Sequence, residues 1–210
     1  MKRGIYSCFE GPNGSGKSTQ VKMLKEFLLS QNKNVKIIRE PGGTEISELI
    51  RNILLDKKNL MMSIESEIFL FSAARAQLVN EVIIPELNKG TFIISDRFHD
   101  STTAYQGYGR GIPLDLVNQI NLFAIAKRLP DLTFIIDITV DEGELRKQNT
   151  KGIELDRMEI EKLDFFRRVR NGYLQMAKDE KRFIVIDGSK SVEEIHSLIV
   201  EHITNFIKEK

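Results

Sequence analysis

With 210 residues, 41% of them hydrophobic and 29% charged, the chain has the size and composition of one globular domain with a core of its own. A formal charge of +1 excludes a whole-molecule electrostatic grip on nucleic acid or an anionic membrane, so any anion site must be a local cluster. The lone cysteine, Cys8, excludes an internal disulfide and suits a cytoplasmic compartment; "GIYSCF" is too short for a secretion signal, and no run reaches the ~20 apolar residues of a membrane span.

"IYSCF" (5–9) predicts a first strand, apolar on both faces, with Cys8 an inert core residue. It leads into Gly11, Pro12, Asn13, Gly14, Ser15, Gly16, Lys17, Ser18 and Thr19, which carry the G-x4-G-K-S spacing of a P-loop. Val21, Leu24, Phe27 and Leu28 then recur at helical spacing. The glycines let backbone N–H groups turn inward onto phosphates. Lys17 reaches the β and γ oxygens, Ser18 offers its hydroxyl to Mg²⁺, and the helix N-terminus adds partial positive charge. A nucleoside triphosphate site is expected. The alternative, a Gly-rich turn before a helix, needs the spacing and both flanks to coincide by chance.

"VKII" (35–38) predicts the second strand, and "REPGGT" (39–44) then faces the ligand crevice, with Arg51 one or two helical turns further on. In the helical "FLFSAARAQ" (69–77), Phe71 and Arg75 share one face. They either sandwich a flat base and bond its edge, or are a core ring and a structural charge. "TFIIS" (91–95) ends in Asp96-Arg97, an Mg²⁺-directed carboxylate beside a guanidinium suited to bidentate phosphate binding; a helix-capping Asp with a surface Arg is the alternative. "LTFIID" (132–137) is a fourth strand whose Asp137 rivals Asp96. The polar stretch 144–157, with Arg146, Lys147, Lys151 and Arg157, reads as a mobile lid. Ile160, Leu163, Phe166, Val169 and Tyr173 predict a helix, "RFIVID" (182–187) a fifth strand, and Ser191 with Glu194 a capping box opening a last helix. The βαβα alternation implies an α/β, three-layer P-loop NTPase fold: a five-stranded parallel sheet flanked by helices, with a short lid at about 144–157, in a single domain over 1–210.

An ABC-type ATPase would need an LSGGQ-like signature and a strand ending in Asp-Glu; the sequence has neither. A hydrolase needs no further phosphate-directed arginines, whereas a kinase with a phosphorylated acceptor does. "REPGGT", "FSAARAQ", "SDRFHDSTTAYQGYGRG" and "ELDRMEIEKLDFFRRVRNGY", in that order behind the P-loop, resemble the bacterial thymidylate kinases, a family of P-loop nucleoside monophosphate kinases, from about residue 5 to residue 187.

The resemblance implies phosphorylation of dTMP to dTDP by ATP with Mg²⁺ as cofactor, for dTTP biosynthesis. The acceptor oxygen is already an anion, so in-line transfer needs no general base, and His99, His196 and His202 are expected to be incidental. By the same resemblance Lys17, Asp96 and Arg97 are catalytic, and Arg146 or Arg157 carries transition-state stabilisation from the lid. Arg97 grips the acceptor phosphate, with Arg39 and Arg51 near it. Phe71 stacks on thymine, Arg75 reaches its edge, Ser101 contacts the pyrimidine, and Pro41 lies in a turn near the sugar, with a cis bond one option. Tyr105 crowds the sugar 2′ position and Gln106 shares its loop, ordinary loop packing being the alternative for both. Ser18 and Asp96 serve the metal. Glu159 either assists through water or is a surface helix residue.

The family usually has Asp or Glu where Asn13 stands, and a lid richer in arginine; activity with altered Mg²⁺ or acceptor affinity is expected. The resemblance also implies a homodimer, with apolar residues such as Ile64, Ile68, Leu78, Val82 and Ile83 serving core and interface, and neither nucleic acid nor membrane as partner. The rivals are another nucleoside monophosphate kinase, taking dUMP or a modified pyrimidine, and a non-catalytic nucleotide sensor.

Overall fold

The computed structural model describes residues 3–149 and 156–210. Of the lid expectation, Lys151 therefore lies outside the described residues. In chain order the elements are β1 (Tyr6–Glu10), α1 (Lys17–Ser30), β2 (Val35–Arg39), α2 (Glu45–Leu55), α3 (Ile64–Leu78), α4 (Ile84–Asn88), β3 (Phe92–Asp96), α5 (His99–Thr102), α6 (Leu114–Ala124), β4 (Leu132–Asp137), α7 (Val140–Gln148), α8 (Leu163–Asp179), β5 (Phe183–Asp187) and α9 (Val192–Glu209). All five expected strands are present. They form one parallel sheet in the order β2-β3-β1-β4-β5, the sheet of a P-loop NTPase fold.

β1 is buried at every position because it sits mid-sheet with helices on both faces. Leu24 and Leu28 of α1 and Ile199 and Ile203 of α9 cover one face, against Phe9 and Phe134. Leu78, Val79, Ile83 and Leu87 cover the other, against Tyr6, Cys8 and Ile93. A third cluster packs Phe165, Phe166 and Tyr173 of α8 against Tyr105 and Ile135. Removing one of these side chains to alanine would cost about 2–5 kcal/mol. α3, a π-helical turn at Val79–Ile83 and α4 make a continuous helical run from Ile64 to Asn88. Its most apolar 18-residue window has mean hydropathy 1.3, which makes it the one run among the described residues long and apolar enough to cross a membrane, where the sequence reading expected none; here Leu78, Val79, Ile83 and Leu87 pack on the sheet.

The strands end in Glu10, Arg39, Asp96, Asp137 and Asp187, a row of charge at the carboxyl edge. β1 and β3 are neighbours but not consecutive, so their connections leave on opposite sides and open the crevice where ligands bind in such sheets. Thr44, Ser63, Thr139 and Ser191 cap α2, α3, α7 and α9 with their side chains, and Ser191 forms the expected capping box with Glu194. α1 starts instead at Gly16 with no side-chain cap, which leaves its first N–H groups directed at the crevice. α8 starts at Leu163, later than the periodicity suggested: Ile160 is exposed, in a turn with Glu159.

Candidate active site

Gly11 has φ +129, and a Cβ there would sit 2.4 Å from the Ile136 carbonyl; only glycine lets the loop leave β1 so close to β4. Gly14, at φ +78, packs against the backbone of Gly143, so α7 lies directly on the loop. Lys17 is buried, and its ammonium donates to the carbonyls of Pro12 (2.8 Å) and Gly11 (3.2 Å). Burial first, and then the positive charge of Arg97, lower its pKa from 10.5 to about 7. Ser18 Oγ donates to Asp96 Oδ2 at 2.6 Å. The rival Asp137 is instead bidentate with Arg170, at 2.7 and 2.8 Å. A cavity of about 280 Å³ opens here, lined by Gly14, Gly16, Lys17, Ser18 and Thr19 from below and by Arg146, Lys147 and Glu159 from above.

A second cavity, of about 420 Å³, adjoins the first and shares Gly14, Lys17, Ser18 and Glu159 with it. All nine residues expected on the acceptor side line it: Arg39, Pro41, Arg51, Phe71, Arg75, Arg97, Ser101, Tyr105 and Gln106. Arg97 has φ +70 and bonds Gly11 O (3.1 Å), Ser101 Oγ (3.2 Å), Tyr173 Oη (3.1 Å) and Asn13 Oδ1. Its guanidinium lies 5.3 Å from the Tyr105 ring centre. The Glu40–Pro41 bond is cis, and the Pro41 carbonyl accepts from Arg39 (3.0 Å) and Arg51 (2.8 Å). Arg39 also forks onto Glu48. Asn13 lines the larger cavity and reaches Glu159, which lines both. Its Oδ1 takes Arg97, its Nδ2 donates to Glu159 at 3.1 Å, and Tyr105 Oη stands 3.4 Å away.

Arg75, Gln106 and Glu159 line the larger cavity as expected and also make contacts within the protein, whereas Arg157 lies elsewhere. Arg75 lines the cavity, but all three of its nitrogens engage protein acceptors: Glu40, Thr102, Asn121 and the Phe98 carbonyl. Gln106 likewise gives its amide to Glu67 at 2.9 Å. Arg157 lines neither cavity. It is buried, with Nη1 2.7 Å from Glu67 and Nε on the Leu54 carbonyl, because Glu67 lies in the core and needs cationic partners. Glu159 stands in a turn, not on a helix, and lines both cavities. Arg146 is on α7, in contact with Glu142, Gly188 O (2.8 Å) and Gly14 O (3.4 Å).

Sequence reading passed over Glu10, Glu40, Asp156 and Tyr173. Glu10 is wholly buried behind Arg97, and burial raises its pKa while Arg97 opposes the rise. Glu40 meets Arg75 at 2.6 Å; burial outweighs that ion pair and pushes its pKa up to about 7. Asp156 lines the larger cavity. An acid closing the apolar run just before Gly11 was the available signal for Glu10; Tyr173 offered none, because it reads as one more apolar position on α8.

The family model for thymidylate kinase matches residues 9–199. The thymidylate kinase of Caldanaerobacter subterraneus subsp. tengcongensis is 44% identical over 207 residues, covering 98% of each chain. That of Kosmotoga olearia is 48% identical over 198 residues, covering 94% of each. Among solved structures, the thymidylate kinase of Ehrlichia chaffeensis superposes with a TM-score of 0.77 at 35% identity, over 96% of this chain and 99% of that one.

Proposed function

The chain belongs to the thymidylate kinase family and is an enzyme that phosphorylates dTMP, and from that premise we propose that the donor is magnesium-bound ATP, seated in the smaller cavity, with dTMP in the larger. The observation that carries this reading is that Lys17 and Ser18 line both cavities, so a γ-phosphoryl group on the P-loop faces an acceptor phosphate held by Arg97.

The triphosphate accepts from the loop N–H groups, the α1 N-terminus and Lys17, which exchanges its carbonyl partners for phosphate oxygens. Arg97 draws the 5′-phosphate of dTMP into line, with Arg39 and Arg51 at the same cavity wall. Phe71 offers the base its ring, and Arg75 borders the base edge from its Glu40 anchor. Tyr105 and Ser101 close the sugar and pyrimidine side. The acceptor oxygen is already charged, so these residues orient and neutralise and no side chain takes a proton. Arg146, on the helix packed over Gly14, supplies the lid's positive charge to the transferring group.

Ser18 and Asp96 present hard oxygens 2.6 Å apart, and Glu159 lines the larger cavity with them. Such a sparse oxygen set fits Mg²⁺, which keeps water and phosphate oxygens among its ligands. Bound there, the ion would offset charge on the β and γ oxygens. The reading extends to a single cytoplasmic domain acting as a homodimer. In support, α3 packs between α2 and α6, and these helices leave Leu49, Phe69, Leu122 and Phe123 exposed.

Transfer of label from γ-labelled ATP to dTMP tests the donor and metal assignments. Labelled dTDP that forms with Mg²⁺ and vanishes with EDTA is the expected result. Undiminished transfer in EDTA would remove the metal from the mechanism.

A further inference from the structure

Arg97 has a left-handed backbone, φ +70, which a non-glycine residue keeps only where its surroundings enforce it. Arg97's own N–H donates to the Phe9 carbonyl at 3.0 Å and its carbonyl accepts from the Ser95 hydroxyl, while Glu10 holds the residues that follow it. The Glu10 carboxylate is fully buried at the end of β1 and lines neither cavity, so it touches neither substrate. Glu10 Oε1 accepts from the backbone N–H groups of Phe98 (2.8 Å) and Ser101 (3.2 Å), which pins the turn that begins at Arg97. Glu10 Oε2 accepts from the hydroxyls of Ser101 (2.7 Å) and Tyr173 (2.8 Å).

Those two hydroxyl oxygens in turn accept from Arg97 Nη1. An ionised carboxylate can only accept. The hydroxyls also stand 2.9 Å from each other, so for both Glu10 contacts to be hydrogen bonds each gives its single proton to the nearer carboxylate oxygen, which turns its lone pairs toward the guanidinium. Glu10 also stands 3.8 Å from Arg97 Nη1 as a counter-charge. We propose that Glu10 is the positioning residue of the acceptor site: it fixes Arg97 indirectly, through the turn backbone and the polarity of Ser101 and Tyr173. The proposal rests on the assignment of Arg97 to the acceptor phosphate.

A glutamine at this position keeps the shape but not the polarity. With its oxygen toward the two N–H groups, its amide would donate where Glu10 accepts, and the hydroxyls would have to aim their protons at Arg97.

A double-mutant cycle tests this, with steady-state ADP release read for wild type, Glu10→Gln, Arg97→Ala and the double variant. Glu10→Gln is expected to lower kcat/KM for dTMP roughly 10- to 100-fold, the scale of a misplaced orienting group, with KM for ATP unchanged. In the Arg97→Ala background it should cost nothing further. An equal loss in both backgrounds, as a purely structural role would give, overturns the proposal, and so does no loss in either. If Arg97→Ala itself costs nothing while Glu10→Gln does, the Arg97 assignment has failed, a result distinct from failure of the Glu10 step alone. Should Glu10→Gln not fold, Glu10→Asp carries the same cycle with the same outcomes, since it keeps the charge but withdraws the carboxylate from the turn.

Discussion

Ser18 Oγ donates to Asp96 Oδ2 at 2.6 Å, tying the first turn of α1 to the end of β3 across 78 positions of sequence. This contact places Asp96 beside the P-loop, whereas Asp137 is held by Arg170. Asp96→Asn keeps the shape and removes the charge. The Mg²⁺ concentration for half-maximal activity should then rise roughly 10- to 100-fold, the usual cost of losing a carboxylate that orients a metal ligand. A magnesium titration of steady-state ADP release checks it.

Lys17 links pH to both binding and stability, with opposite signs. Its pKa in the ligand-free protein is about 7, against 10.5 for an unperturbed lysine, and bound triphosphate favours the charged form. Above pH 7, ATP must therefore bring a proton with it, and its affinity should fall with pH by up to about tenfold per unit until the pKa of the complex is passed. Over the same range the unfolded chain holds the proton that the folded chain has released, so Lys17's contribution to stability rises with pH. Calorimetry of ATP binding in buffers of differing ionisation enthalpy should register proton uptake near pH 8.

Arg146 and Arg157 are expected to separate activity from stability. Arg146 sits over the P-loop, whereas Arg157 is sealed against Glu67. Arg146→Gln should cut kcat by about 10²-fold, the scale for losing one transition-state donor, and leave the melting temperature unchanged. Arg157→Met should do the reverse. Its cost should fall below the ~3–5 kcal/mol of a broken isolated buried pair, since Arg110 still neutralises Glu67. Denaturant melts beside kinetics on both variants decide the matter.

Asn13 uses both ends of its amide, accepting from Arg97 and donating to Glu159. In Asn13→Asp the Arg97 contact survives, but the donor becomes a second carboxylate facing Glu159. The Mg²⁺ requirement should fall several-fold while kcat changes little, and Glu159→Gln should abolish the gain. An unchanged Mg²⁺ titration would show that the position carries no metal-related role.

Phe123, on α6, is 91% exposed and Phe69, on the neighbouring α3, is 61% exposed. Carboxylates at both positions, Phe69→Glu with Phe123→Glu, should turn a dimer into a monomer in sedimentation equilibrium.

Five strands were legible because each is a short apolar run, the three central ones buried on both faces, and the P-loop and Asp96-Arg97 because their chemistry depends on fixed local spacing. Residues whose meaning lies in a distant partner were not. Glu10 reads as the end of a strand until Tyr173, 163 positions away, reaches its carboxylate. Arg157 reads as lid charge until Glu67 takes it into the core. Phe71 and Arg75 were rightly placed on one face, yet spacing could not reveal that Glu40 would occupy the guanidinium. Periodicity also carried Ile160 into α8, which Lys162 and Leu163 begin later.

On the proposed reading, two adjoining cavities bring Mg·ATP and dTMP together across Lys17 and Arg97. The most direct measurement is Mg²⁺-dependent ADP release with dTMP, dUMP, CMP or AMP as acceptor, alongside ATP binding by calorimetry. The highest kcat/KM is expected with dTMP. ATP binding without ADP release on any acceptor would contradict it.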